Sequence, residues 1–211
     1  MSLALSPATW TATIDGAPVE LPLVAINETL AISLLMVIDE GVRFGERVGQ
    51  ALARRLAPTR PEIVVGTATL GIPVAIEVTR HLGLDRYVIV QKSPKIHLRD
   101  ALVQHVESVT SAGEQRLLLD RRAIPLLAGR RVAVVDDVVA TGSSLAATLK
   151  LVRQAGADVV GIGVILTEAH AWRSVLGADA GRVEALGHIP QFRIDRGRAT
   201  PDPATLAGAA G

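Results

Sequence analysis

The chain has 211 residues, with 22 Lys and Arg against 21 Asp and Glu, 49% hydrophobic but only 2% aromatic side chains, and no cysteine. That length favours one domain, able to bury roughly 70% of its unfolded surface without a covalent staple. The missing thiols exclude a disulfide framework, a thiolate zinc site and a thiol nucleophile; the balanced charge argues against a nucleic-acid partner.

The longest apolar stretch, residues 31–38 between Glu28 and Asp39, falls far short of the ~20 residues that a membrane span needs. No basic start followed by an apolar run marks a signal peptide, so a cytoplasmic location without membrane contact is expected. Phe44, Val48, Leu52 and Leu56 recur every four residues, which predicts a helix closed by Pro58. Residues 62–66 then read as a buried strand, 71–82 as a helix with Gly83 at its C-terminal cap, and 87–90 as a second strand. Residues 92–120 are long and mostly polar, and a connection of that length in a compact domain is functional or mobile. Residues 131–135 predict a third strand and 144–154 a helix carrying Leu145, Leu149 and Val152 on one face. Residues 159–166 predict a fourth strand. An aliphatic, aromatic-poor core suits a sheet covered on both faces. Strands alternating with helices imply βαβ units, hence an α/β fold with a doubly wound, mostly parallel sheet. Residues 197–211, rich in Pro, Ala and Gly, are expected to be a flexible tail, leaving residues 1–196 as one domain.

The informative segment is 131–144, Arg-Val-Ala-Val-Val-Asp-Asp-Val-Val-Ala-Thr-Gly-Ser-Ser. A buried strand ends in Asp136 and Asp137 and is followed by a small-residue turn that opens a helix. Ligands of open α/β sheets bind beyond the carboxyl ends of the strands. The turn offers backbone N–H groups at a helix N-terminus, where unpaired donors and the dipole attract phosphate. Gly142 allows close approach, and the hydroxyls of Thr141, Ser143 and Ser144 add donors. Two carboxylates beside a phosphate cradle make sense if a sugar diol lies over them, directly or through Mg²⁺. Neither the lysine of a phosphate-loop NTPase nor the spaced glycines of a dinucleotide site is present.

The stretch 134–144 resembles the phosphoribosyl-pyrophosphate signature of type I phosphoribosyltransferases, nearest to the adenine- and xanthine-type purine branch. Residues 65–73 (Val-Gly-Thr-Ala-Thr-Leu-Gly-Ile-Pro), 87–95 and 154–168 are similar to further stretches of that family. The resemblance implies an enzyme joining a nucleobase, a purine first of all, to phosphoribosyl pyrophosphate with release of pyrophosphate. It implies Mg²⁺ as cofactor and a homodimer. The 5′-phosphate would rest on Val139, Ala140, Thr141, Gly142, Ser143 and Ser144, with Asp136 and Asp137 holding ribose hydroxyls or the metal. Pyrophosphate would rest on Thr67, Ala68, Thr69, Leu70 and Gly71, helped by Lys92. The segment 92–120 matches the family's mobile hairpin, with Ser108 and Thr110 as pyrophosphate contacts. A variable hood, from about residues 1–40 and 168–192, would choose the base.

The sequence also departs from the family pattern. Gln91 stands where an arginine is usual, Ser143 replaces a glycine, and Ala140 supplies no acid within the loop. Glu168, ending the last strand, is the remaining candidate for proton transfer with the base. Ala169 replaces the lysine of xanthine-type relatives, so the base is not legible. Trp172 is read either as a stacking surface for a base or as core or a dimer contact. A second reading is a non-catalytic regulatory protein that binds phosphoribosyl pyrophosphate. Related repressors add an N-terminal DNA-binding domain, for which the expected start of the transferase-like region leaves no room.

Overall fold

The computed structural model describes residues 5–93, 100–106 and 115–208. Its centre is a five-stranded, wholly parallel sheet of β4 (Ile63–Thr67), β5 (Tyr87–Val90), β8 (Arg131–Val139), β9 (Asp158–Glu168) and β10 (Val183–Ile189), in the order β10-β9-β8-β4-β5. The four predicted strands are all present. The side chains of β8 alternate between two cores, as strand geometry demands. Val132 and Val134 face α4 (Ser143–Gln154), while Ala133 and Val135 face α1 (Val42–Leu56) and α2 (Gly71–His81). Phe44, Val48, Leu52 and Leu56 form the buried stripe of α1 that their spacing predicts.

Between β5 and β8, β6 (Leu102–Val106) and β7 (Gln115–Leu119) form an antiparallel hairpin, followed by the short α3 (Ile124–Leu127). The hairpin root is tied to the main sheet by reciprocal bonds between the main chains of Gln91 and Leu118, at 2.9 and 2.8 Å. Val106, Leu117 and Leu119 enter the same core as α4. Ser108 and Thr110 lie outside the described residues.

A second sheet covers one end of the first. It contains β1 (Thr9–Ile14), β2 (Ala17–Ala25), β3 (Leu30–Ser33), β11 (Gln191–Asp195) and β12 (Arg198–Pro201), in the order β1-β2-β3-β11-β12. β1 and β2 meet at Asp15-Gly16, both at positive φ (50° and 79°), the geometry of a two-residue hairpin turn. Trp10 and Phe192 meet edge to face across this sheet, centroids 5.3 Å apart. Asp15 N–H donates to the Leu186 carbonyl and Arg47 to that of Ile14, which docks the sheet on β10 and α1.

The second sheet draws on residues 9–33 and 191–201, whereas the hood was expected from about residues 1–40 and 168–192. β10 belongs to the central sheet, and residues 168–182 carry α5 (Ala171–Leu176) and a 3-10 turn at Gly177–Arg182, with α5 packed on α4. The expectation of a flexible tail from residue 197 is also corrected. β12 pairs with β11, and a 3-10 turn at Pro203–Thr205 follows it. There Thr205 Oγ1 accepts from the Gln191 N–H, His188 Nε2 donates to the Thr205 carbonyl at 2.7 Å, and His170 Nε2 donates to the Leu206 carbonyl at 3.1 Å. These partners come from elsewhere in the chain, and a local composition reading does not see them. Among the described residues no helix is long and apolar enough to cross a membrane.

Candidate functional site

β8 runs four residues past its apolar stretch, so Asp136 and Asp137 lie within the strand near its carboxyl end, Asp136 opposite Val164 of β9. Asp136 is buried and Asp137 half-buried. Asp137 N–H donates to Asp136 Oδ1 at 3.1 Å. Burial first, and then the charge and hydrogen bond of Asp137, hold the Asp136 carboxyl well above the usual carboxylate range; Lys92, on the loop after β5, pulls it down. The charge of Lys92 thus reaches Asp136, whereas the sequence reading set Lys92 beside the pyrophosphate loop.

Val139 and Ala140 lead from β8 into the turn, and Gly142 caps α4 in the left-handed region at φ 84°. A side chain at residue 142 would suffer twice. The conformation is strained for any L-residue, and a Cβ would lie 3.1–3.2 Å from the main chain and Cβ of Trp172. Thr141 Oγ1 accepts from the Ser143 N–H at 3.3 Å. Asp136, Val138, Val139, Ala140, Thr141, Gly142, Ser144 and Leu145 line a concavity of about 150 Å³. Its floor is the first turn of α4, whose N–H groups and dipole suit an anion. Trp172 is core: it is 3% exposed, its indole N–H donates to the Ala169 carbonyl, and Arg173 stacks on its outer face at 4.6 Å. It backs the loop instead of facing a ligand.

The second expected loop stands against the first. Gly71 opens α2 beside Asp136, so closely that a Cβ there would lie 2.7 Å from Asp136 Oδ1. The Ala68–Thr69 peptide is cis. Thr69 is exposed and Leu70 half-buried. Thr67 and Ala68 point inward, a correction to reading all five residues alike. Thr67 is 1% exposed with its hydroxyl 3.2 Å from that of Thr148, and Ala68 gives its N–H to the Val90 carbonyl. Of these five residues Thr69 alone is exposed.

Thr167 of β9 lies opposite Val139, so Glu168 ends its strand level with Ala140. Its carboxyl is buried and accepts from Gln191 Nε2 at 3.0 Å. Burial raises its pKa, and the Gln191 bond opposes the rise. Glu168 is not part of the concavity lining. Gln191 and Thr148 escaped the sequence reading. The available signal for Thr148 was a hydroxyl within the apolar stripe of α4, one turn after Ser144.

A family model described as phosphoribosyl transferase domain matches residues 42–180. The xanthine phosphoribosyltransferase of Laribacter hongkongensis is 31% identical over 153 residues, covering 72% of this chain and 80% of that protein. The orotate phosphoribosyltransferase of Desulforamulus reducens is 30% identical over 144 residues, covering 68% and 62%. Among solved structures, adenine phosphoribosyltransferase from Thermoanaerobacter pseudethanolicus superposes with a TM-score of 0.66 at 20% identity, over 80% of this chain and 95% of that one. This last likeness concerns the fold.

Proposed function

The chain belongs to the phosphoribosyltransferase family, and from that premise we propose that it transfers phosphoribose from phosphoribosyl pyrophosphate to a nucleobase, as a purine-branch enzyme of nucleotide salvage. The observation that carries the reading is the contiguous unit of β8, turn and α4. It sets two carboxylates and a helix-terminal anion cradle on one edge, with Gly71 of the second loop against Asp136.

In this proposal the 5′-phosphate sits in the cradle of residues 139–144, the ribose hydroxyls face Asp136 and Asp137, and pyrophosphate lies over Thr69, Leu70 and Gly71 near Lys92. The bond from the anomeric carbon to the pyrophosphate oxygen breaks, the leaving group keeping the electron pair, and a ring nitrogen of the base bonds to that carbon. Positioning and charge stabilisation of the oxocarbenium-like transition state supply the acceleration. Glu168 is the nearest acid of β9 for the proton of the base, provided it exchanges its Gln191 bond.

Mg²⁺ is part of the proposal. Among the described residues no three His, Asp or Glu side chains form a cage, but Mg²⁺ needs only one or two carboxylates when phosphate oxygens and water complete its shell. Asp136 and Asp137 provide such hard donors, and Asp136 gains charge stability from a cation because burial and a like charge now oppose its ionisation. When bound, the ion would neutralise the leaving pyrophosphate. A homodimer and a cytoplasmic location extend the proposal on the family resemblance.

The test is pyrophosphate release from phosphoribosyl pyrophosphate across a panel of purine and pyrimidine bases. Release is expected with a purine, and Asp136→Asn with Asp137→Asn is expected to lower it by on the order of 100-fold or more. Binding without release for any base would favour the regulatory reading, for which the side-chain-poor Ala140 is the supporting feature.

A further inference from the structure

Thr67 and Thr148 form a buried link between the two loops of the site, and neither hydroxyl is accessible to a ligand. Thr67 ends β4 at 1% exposure, and Thr148 lies in the second turn of α4 at 0%. Their hydroxyl oxygens are 3.2 Å apart, and Thr148 Oγ1 also lies 3.0 Å from the Ser144 carbonyl. A carbonyl only accepts, so the Thr148 proton goes to Ser144. Thr67 must then be the donor to Thr148. The chain has one direction, Thr67 O–H to Thr148 O–H to Ser144 C=O.

Both ends of this chain are significant. Thr67 directly precedes the loop 68–71, whose Gly71 rests on Asp136. The Ser144 carbonyl shares its peptide with the N–H of Leu145, in the first turn of α4 on the lining of the concavity. Hydrogen bonds in series polarise one another in a low-dielectric interior. Donation to the Ser144 carbonyl strengthens the Leu145 N–H as an anion donor, and the link fixes the spacing between the end of β4 and the start of α4. Burying two hydroxyls is costly unless each is paired, so the pair has one satisfied arrangement rather than a continuum of them.

We infer that the Thr67–Thr148–Ser144 chain couples the two anion subsites, so that occupation of one changes the affinity of the other. Thr148 is then a positioning residue that touches neither ligand. This rests on the phosphoribosyltransferase reading of the site. Coupling between two sites is reciprocal and is measured as a ratio of affinities. A uniform loss of structure, which weakens both ligands alike, leaves the ratio unchanged.

The probes are ribose 5-phosphate and inorganic pyrophosphate, each titrated calorimetrically with MgCl₂ present, alone and with the other ligand saturating. The native protein is expected to show an affinity ratio displaced from one by about fivefold or more. In Thr148→Val the ratio should collapse to near one, and Thr148→Ser, which keeps the hydroxyl, should restore it. The double variant Thr67→Val, Thr148→Val removes both hydroxyls, leaves no unpaired partner and guards against misfolding of the single variant. Collapse there supports the inference. A native ratio of one, or a ratio unchanged in the double variant, overturns it while leaving the proposed function standing. If the native protein binds neither probe, both readings fall.

Discussion

Burial and the carboxyl of Asp137 hold the proton of Asp136 well above its ordinary range, against the pull of Lys92. A carboxyl whose folded pKa exceeds its unfolded value contributes stability fully below the unfolded value and loses it as pH rises through the folded one. Ligand-free protein near neutrality therefore carries a cost at Asp136. Asp136→Asn should raise the melting temperature at pH 8 by roughly 2–6 °C, given gains of 0.5–2 kcal/mol for relief of such sites in a chain of this size. The gain should fade towards pH 4, where the native carboxyl is also neutral; a thermal melt at the two pH values checks it. The two acids and the cradle were legible in the sequence because strand, turn and helix are consecutive there. The inward turn of Thr67 and Ala68 was not, because their partners, Thr148 and Val90, stand 81 and 22 residues away.

At the scale of elements, legibility followed burial on two faces. β4, β5, β8 and β9 read as unbroken apolar runs. The hood strands alternate, as in β2 with Val19, Leu21 and Leu23 inside, and were left as a variable region although Asp15-Gly16 carries a hairpin signal. The turn at Pro203–Thr205 was the furthest from reach, since histidines of other elements hold it. His188 donates Nε2–H to the Thr205 carbonyl, so in the neutral ring Nδ1 accepts from Thr167 Oγ1 at 2.9 Å. Its pKa is lowered, by burial first and then by His170 and Arg173, against the Thr205 bond. A depressed histidine gives stability above the unfolded value that is lost as pH falls through the folded one. Protonation would also set a charge on the His188 ring beside Arg173 and within the His170–His188 stack, whose centroids are 5.2 Å apart. Melting temperatures from pH 7.5 to 5.5 should therefore fall more steeply in the native protein than in His188→Gln, and equal slopes would count against this account.

For the molecule as a whole, the parallel sheet carries two attached units, the hairpin root held by Gln91 and Leu118 and the second sheet docked through Asp15 and Arg47. A ligand that binds only the folded state adds about 2.7 kcal/mol at 100 times its Kd. Phosphoribosyl pyrophosphate with MgCl₂ at that excess should thus raise the melting temperature by roughly 5–10 °C. An unchanged melt would remove the site assignment. The hood has a further property, set by its strand order. β12 bridges back to Ser6, whose N–H donates to the Gly197 carbonyl and whose carbonyl accepts from Ala199. During synthesis on the ribosome, β1 to β3 emerge first, yet their sheet waits for β11 and β12, more than 150 residues later. The turn at residues 139–144 is thus translated before the two strands that complete the second sheet. A chain halted near residue 190 lacks β11, the strand that pairs with the free edge of β3.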